Sequence, residues 1–206
     1  MALNFLHRAS RSAKRIAIFP GAWNPPTVAH VSVARAALAW ADEVIWLLPR
    51  RFPHKNFEGA TFEQRQAMLT ALAQAEDRFS AAVCDTNLHI DMARETAETL
   101  GPGIEVGIIC GRDAVERVAT WDYGRPGVFE EMLADHPLLV AARQGEYEPP
   151  AHLAGRILPL QLPRSFDDVS STEVRRGIGC GGDWETMVPK TLHGLVGNAY
   201  RRDTSR

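Results

Sequence analysis

The stretch Ile16-Ala17-Ile18-Phe19-Pro20-Gly21-Ala22-Trp23-Asn24-Pro25-Pro26-Thr27-Val28-Ala29-His30 decides the fold. It opens on a short apolar run closed by Pro20-Gly21, the pattern of a buried strand. Ala29 to Ala41 is Ala-rich, with Val28, Val31, Ala34 and Leu38 near helical spacing, so a helix follows. Strand, tight loop and helix form the opening of a parallel α/β unit.

The rest of the chain continues that alternation. Val44 to Leu48 reads as a second buried strand and Phe62 to Ala75 as a helix. Phe79 to Cys84, Ile104 to Cys110, Pro137 to Ala142 and Ile157 to Leu160 read as further strands. Ile90 to Leu100 reads as a helix ended by Gly101-Pro102-Gly103, and two helical pieces start at Ser170 and Pro189. Strands that are apolar throughout are buried on both faces, which predicts an α/β open parallel sheet with helices on both sides. Such sheets bind ligands at the carboxyl ends of their strands, so the loops after Phe19, Leu48, Cys110 and Ala142 are where chemistry is expected.

With 206 residues and no linker-like segment, the chain reads as a single domain, 1–206. Lys and Arg number 23 against 25 Asp and Glu, a net charge of −2, which excludes a broad polyanion-binding surface and hence a nucleic-acid coat. Three scattered cysteines (Cys84, Cys110 and Cys180) make neither a disulfide framework nor a zinc pattern, and they fit a reducing cytoplasm. No apolar run approaches the ~18 residues a membrane span needs. Residues 1–14 carry Arg8, Arg11 and Lys14 with no acid and read as a basic N-terminal extension. The sequence leaves homo-oligomerisation open. It also lacks a P-loop, a dinucleotide fingerprint, a nucleophile elbow and HExxH.

Two segments carry the chemistry. In the first, Gly21 permits a tight turn and two prolines stiffen the loop, so Thr27 falls at a helix N-cap with His30 one turn on. A hydroxyl and an imidazole at a helix N-terminus suit an anion such as phosphate. The second is Val169-Ser170-Ser171-Thr172-Glu173-Val174-Arg175. Ser170 with Glu173 is a capping-box pattern, Ser171 and Thr172 offer hydroxyls and free N–H groups, and the Arg175 guanidinium can fork onto phosphate oxygens.

Together these segments resemble the (H/T)xGH and ISSTxxR signatures of the nucleotidyltransferase superfamily. Within it they resemble most closely the nicotinate/nicotinamide mononucleotide adenylyltransferases. Gly21 to His30 is similar to that family's G-S-F-N-P-x-T-x-x-H loop, with Ala22, Trp23 and Ala29 as substitutions, and Thr27 where many bacterial members have His. Gly111-Arg112-Asp113 with Thr120-Trp121 resembles its G-x-D…TW stretch. Leu138 to Arg143 resembles its fifth strand and arginine, and Met187-Val188-Pro189 the start of its last helix.

The resemblance implies a Rossmann-like, HUP-type nucleotidyltransferase fold and adenylyl transfer from ATP to a pyridine mononucleotide in NAD synthesis, with Mg²⁺ held mainly through the phosphates. It implies that His30, Thr27 and Arg175 do the chemistry and that Gly21, Ala22, Trp23, Gly111, Asp113, Ser170, Ser171 and Thr172 bind ATP. Lys55, Thr120, Trp121 and Arg143 would hold the mononucleotide. Residue by residue, plainer readings stand beside these: Lys55 as part of a solvated basic loop, Trp121 as a core tryptophan, Asp113 as a helix cap near Ala114. A superfamily relative with another acceptor (a phosphopantetheine adenylyltransferase or a cytidylyltransferase) and a nucleotide-binding regulator without catalysis remain the competing functions.

Overall fold

The computed structural model describes residues 3–51, 59–142, 147–163, 166 and 168–200. Its sheet has seven strands: β1 (Asn4–His7), β2 (Arg15–Pro20), β3 (Glu43–Pro49), β4 (Phe79–Cys84), β5 (Glu105–Gly111), β6 (Leu138–Ala141) and β7 (Ile157–Leu160), in the order β1-β4-β3-β2-β5-β6-β7. All pairings are parallel except β1 on β4. From β2 the chain winds outward through β3 and β4, then returns and winds the other way from β5, so the order switches between β2 and β5. The loop after Pro20 and the start of the helix after Gly111 therefore flank the crevice where open α/β sheets take ligands.

The helices are α1 (Val28–Ala37), α2 (Phe62–Gln74), α3 (His89–Leu100), α4 (Arg112–Thr120), α5 (Val128–Asp135), α6 (Ser171–Cys180) and α7 (His193–Tyr200). Alternate strand residues feed two apolar layers. Ala17, Phe19, Trp46, Leu48 and Phe79 face α1, α2, α6 and α7, while Ile16, Ile18, Ile45, Leu47 and Ile108 face α3, α4 and α5. No helix among the described residues is long and apolar enough to cross a membrane.

The N-terminal segment corrects the reading of residues 1–14 as an extension, because Asn4–His7 enters the sheet as its antiparallel edge strand. It is held by more than ladder bonds. The Ala9 N–H donates to Ser80 Oγ (2.8 Å), Ser80 Oγ donates to Glu43 Oε1 (2.5 Å), and Arg8 Nε lies 3.5 Å from the same carboxylate oxygen. Glu43 is 2 % exposed, and burial raises its pKa against the opposing hydrogen bond from Ser80 and the charge of Arg8. The α1 helix also stops short of the expected Ala41, closing at Leu38 with tight turns through Ala41.

Candidate active site

At the carboxyl end of β2, Gly21 donates its N–H to Leu47 O and the chain turns sharply. Trp23 sits at φ 54°, the left-handed region, and folds its indole back over Gly21, where an added Cβ would lie 2.7 Å from the ring. Gly21 is thus required by its neighbour's side chain. The indole is 3 % exposed, donates through Nε1 to Leu47 O (2.9 Å), and meets Phe19, Trp46 and His30 edge-on at 4.8, 4.9 and 5.3 Å. The Trp23 side chain is thus core that backs the His30 ring, and only its backbone borders the loop's open side.

Thr27 caps α1 through a reciprocal box. His30 N–H donates to Thr27 Oγ1 (3.4 Å), Thr27 N–H donates to His30 Nδ1 (3.1 Å), and Oγ1 lies 2.8 Å from Nδ1. Thr27 is fully buried. Its hydroxyl therefore lies against the imidazole. An Nδ1 that accepts a backbone N–H has its lone pair engaged, so the neutral ring carries its proton on Nε2 and is a donor there.

The second segment lands on the same loop. Ser170 is the N-cap of α6 and accepts from Glu173 N–H (3.1 Å). Only half of the expected capping box forms, because the Glu173 carboxylate pairs with Arg176. Ser171 Oγ donates to Pro25 O (2.8 Å), and Arg175 donates through Nη1 to Asn24 O (2.6 Å) and through Nη2 to Thr172 Oγ1 (3.4 Å). Ser171 is thus a strut between the two segments, and Arg175 spans them.

Residues that the sequence reading passed over complete the loop's support. Arg65 of α2, 6 % exposed, donates to Ala22 O (3.1 Å). Asn24 Oδ1 accepts from Ala60 N–H (3.2 Å) and from the hydroxyl of Tyr200 at the end of α7. These partners lie dozens of residues away from the loop, and no local pattern signals them.

Across the switch point, Gly111 caps α4 without a side-chain bond and Asp113 stands exposed in its first turn, so Asp113 is not the cap. At the far end of α4, Trp121 is 53 % exposed, which removes its reading as a core tryptophan. It borders a cavity of about 240 Å³ lined also by Leu88, His89, Ala114, Arg117 and Tyr123. Burial, with a smaller contribution from the charge of Arg117, lowers the His89 pKa and keeps its ring neutral near pH 7. Thr120 ends α4; Lys55 and Arg143 lie outside the described residues. Cys110 is a buried thiol whose pKa burial pushes up to about 12, an inert group in keeping with its place at a strand end.

Residues 18–177 match the cytidylyltransferase-like family model. A protein of Neisseria meningitidis serogroup C described as a probable nicotinate-nucleotide adenylyltransferase is 31 % identical over 211 residues, covering 88 % of this chain and 98 % of the relative. One of Salinibacter ruber, with the same description, is 29 % identical over 200 residues, covering 88 % and 94 %. Among solved structures, the nicotinic acid mononucleotide adenylyltransferase of Plasmodium falciparum complexed with NaAD shares the fold, with a TM-score of 0.62 at 17 % identity over 90 % of this chain and 93 % of that one. The paired helix starts, the switch-point crevice and these matches agree: the chain belongs to the cytidylyltransferase-like nucleotidyltransferases, and within them to the family of the nicotinate-nucleotide adenylyltransferases.

Proposed function

We propose that this protein transfers the adenylyl group of ATP to a pyridine mononucleotide, a step of NAD synthesis. A phosphate oxygen of the mononucleotide forms a new bond to the α-phosphorus, the bridge to the β-phosphate breaks, and pyrophosphate leaves with that electron pair. Such chemistry needs positioning and charge stabilisation more than a protein nucleophile. The observation that carries the reading is the meeting of two helix N-termini, α1 and α6, on one loop through Arg175 and Ser171. Both helix ends favour anions.

In this reading His30 donates from Nε2 to the α-phosphoryl group as its charge grows, and Thr27 holds the ring in the tautomer that can do so. Arg175, with Thr172 and the first N–H groups of α6 behind Ser170, receives the departing pyrophosphate. The backbone of Gly21 to Trp23 and of Gly111 shapes the ATP site, and Asp113 accepts from the ribose. Trp121 stacks on the pyridine, while Lys55, Thr120 and Arg143 hold the rest of the mononucleotide. The described residues contain no group of three or more His, Cys, Asp or Glu side chains able to hold an ion. Mg²⁺ would enter with ATP, ligated mainly by phosphate and water, and neutralise charge on the triphosphate. The free cysteines suit a cytoplasmic setting.

The test is pyrophosphate release from ATP or CTP, offered separately with nicotinate mononucleotide, nicotinamide mononucleotide and phosphopantetheine. Turnover with ATP and a pyridine nucleotide is expected, and its absence with both pyridine nucleotides would sink the proposal. Replacing His30 by Ala should lower kcat about 10²–10³-fold with the fold intact.

A further inference from the structure

Three backbone carbonyls of the phosphate loop are each engaged by a side chain from another element. Arg65 takes Ala22 O, Arg175 takes Asn24 O, and Ser171 takes Pro25 O. Pro25 and Pro26 have no N–H to offer, so this part of the loop is fixed from its carbonyl side. The residue that joins these supports is Asn24, which is 5 % exposed. Its carbonyl faces Arg175, while its side-chain oxygen accepts from Ala60 N–H and from the Tyr200 hydroxyl.

The approach of Tyr200 is built into the chain. Gly59 lies at φ 107°, and a Cβ there would sit 2.7 Å from the Tyr200 ring and 3.2 Å from Asn24 Oδ1. Only glycine lets the 59–60 turn, the loop and the last helix converge at that point. Burial raises the Tyr200 pKa, so its hydroxyl stays a protonated donor at working pH.

From this geometry we propose that Tyr200 is a positioning residue of the ATP site: by fixing the Asn24 side chain it fixes the Asn24 carbonyl, and through it the guanidinium of Arg175. Tyr200 itself touches no substrate. Without its hydroxyl, Asn24 Oδ1 loses one of the donors that tie the loop to α7 and the 59–60 turn, and the Asn24 carbonyl can shift with the loop. Arg175 then loses the fixed end of its fork. The inference rests on the role proposed above for Arg175 in holding phosphate, and it adds α7 to the parts that build that site.

The experiment compares Tyr200→Phe, Arg175→Ala and the double variant with the wild type, measuring MgATP affinity by calorimetry and nicotinate mononucleotide affinity in parallel. Tyr200→Phe keeps the ring and removes one donor. We expect it to weaken ATP binding about five- to tenfold, leave mononucleotide binding within about twofold, and add no further loss on the Arg175→Ala background. A role confined to stability would lower Tm and leave the ATP affinity unmoved. Unchanged ATP affinity in Tyr200→Phe, or a loss that adds fully to that of Arg175→Ala, overturns the inference and leaves the proposed function standing. If Arg175→Ala itself binds ATP as the wild type does, the phosphate role of Arg175 fails, and this inference fails with it.

Discussion

Thr27→Val is the most informative single change at the site, because it separates orientation of His30 from contact with ATP. Valine matches threonine in shape, so a fully buried position keeps its packing and loses only the hydroxyl. Two interactions disappear: the cap that accepts His30 N–H at 3.4 Å and the 2.8 Å contact with Nδ1. A third survives, since the bond from residue 27 to Nδ1 at 3.1 Å comes from the backbone. Loss of the cap costs about 1 kcal/mol, or about 2–4 °C in Tm for a chain of this size. Catalysis should suffer less than in His30→Ala, where the donor is gone. With one of two restraints on the ring kept, a fall in kcat of about threefold to tenfold is expected, against about 10²–10³-fold for His30→Ala. Thr27→Ser should restore most of the rate. The assay is steady-state pyrophosphate release with ATP and mononucleotide varied in turn, alongside thermal melts. If Thr27→Val raised the KM for ATP sharply with kcat unchanged, the hydroxyl would be a ground-state contact to ATP, and the orienting role derived from the capping box would be wrong.

Two further outcomes follow from features away from His30. Arg117 is the positively charged group lining the cavity beside Trp121, and the burial that lowers the His89 pKa leaves that neighbour neutral. Arg117→Met should therefore reduce kcat/KM for nicotinate mononucleotide relative to nicotinamide mononucleotide by about two- to fivefold, the scale of an exposed ion pair; an unchanged ratio would exclude Arg117 as a carboxylate contact. Glu43 has its pKa raised above the ordinary 4.5 by burial. Its stabilising contribution is thus complete below that value and is lost as pH rises through the folded-state value. Glu43→Gln, which keeps an acceptor for Ser80, should raise Tm at pH 7 by about 2–4 °C, with the gain shrinking toward pH 4; a lower Tm at pH 7 would mean that the partner charge of Arg8 outweighs burial.

The parallel strands were readable because both of their faces are buried, which leaves uninterrupted apolar runs such as Val44 to Leu48. β1 was not, because it is a short edge strand with half-exposed side chains. What holds it, Ser80 and Glu43, lies far along the chain. At the site, the spacing of Thr27 and His30 and the helix start at Ser170 are local facts and could be read directly. The fate of Trp23 could not, since it turns on a left-handed backbone angle and on a missing Cβ at Gly21. Ser171 shows the same limit: its place in the first turn of α6 was legible, but its partner, Pro25 O, is 146 residues away.

That limit bears on how a chain with a net charge of −2 would seat the triphosphate of the proposed reaction. Carbonyl oxygens in a loop repel an incoming anion, and Ala22 and Asn24 would each present one. Guanidinium groups from α2 and α6 engage both, so the negative ends of those dipoles are already met by positive charge. The two contacts of Arg175 are also unequal, 2.6 Å to Asn24 O and 3.4 Å to Thr172 Oγ1. In the proposed function a phosphate oxygen at the start of α6 would compete first with the longer and weaker one. Arg175 would then take up the anion through Nη2 while Nη1 keeps its hold on the loop. The favourable field is made by a few oriented donors on one loop, which is why the overall charge of the chain does not foretell it.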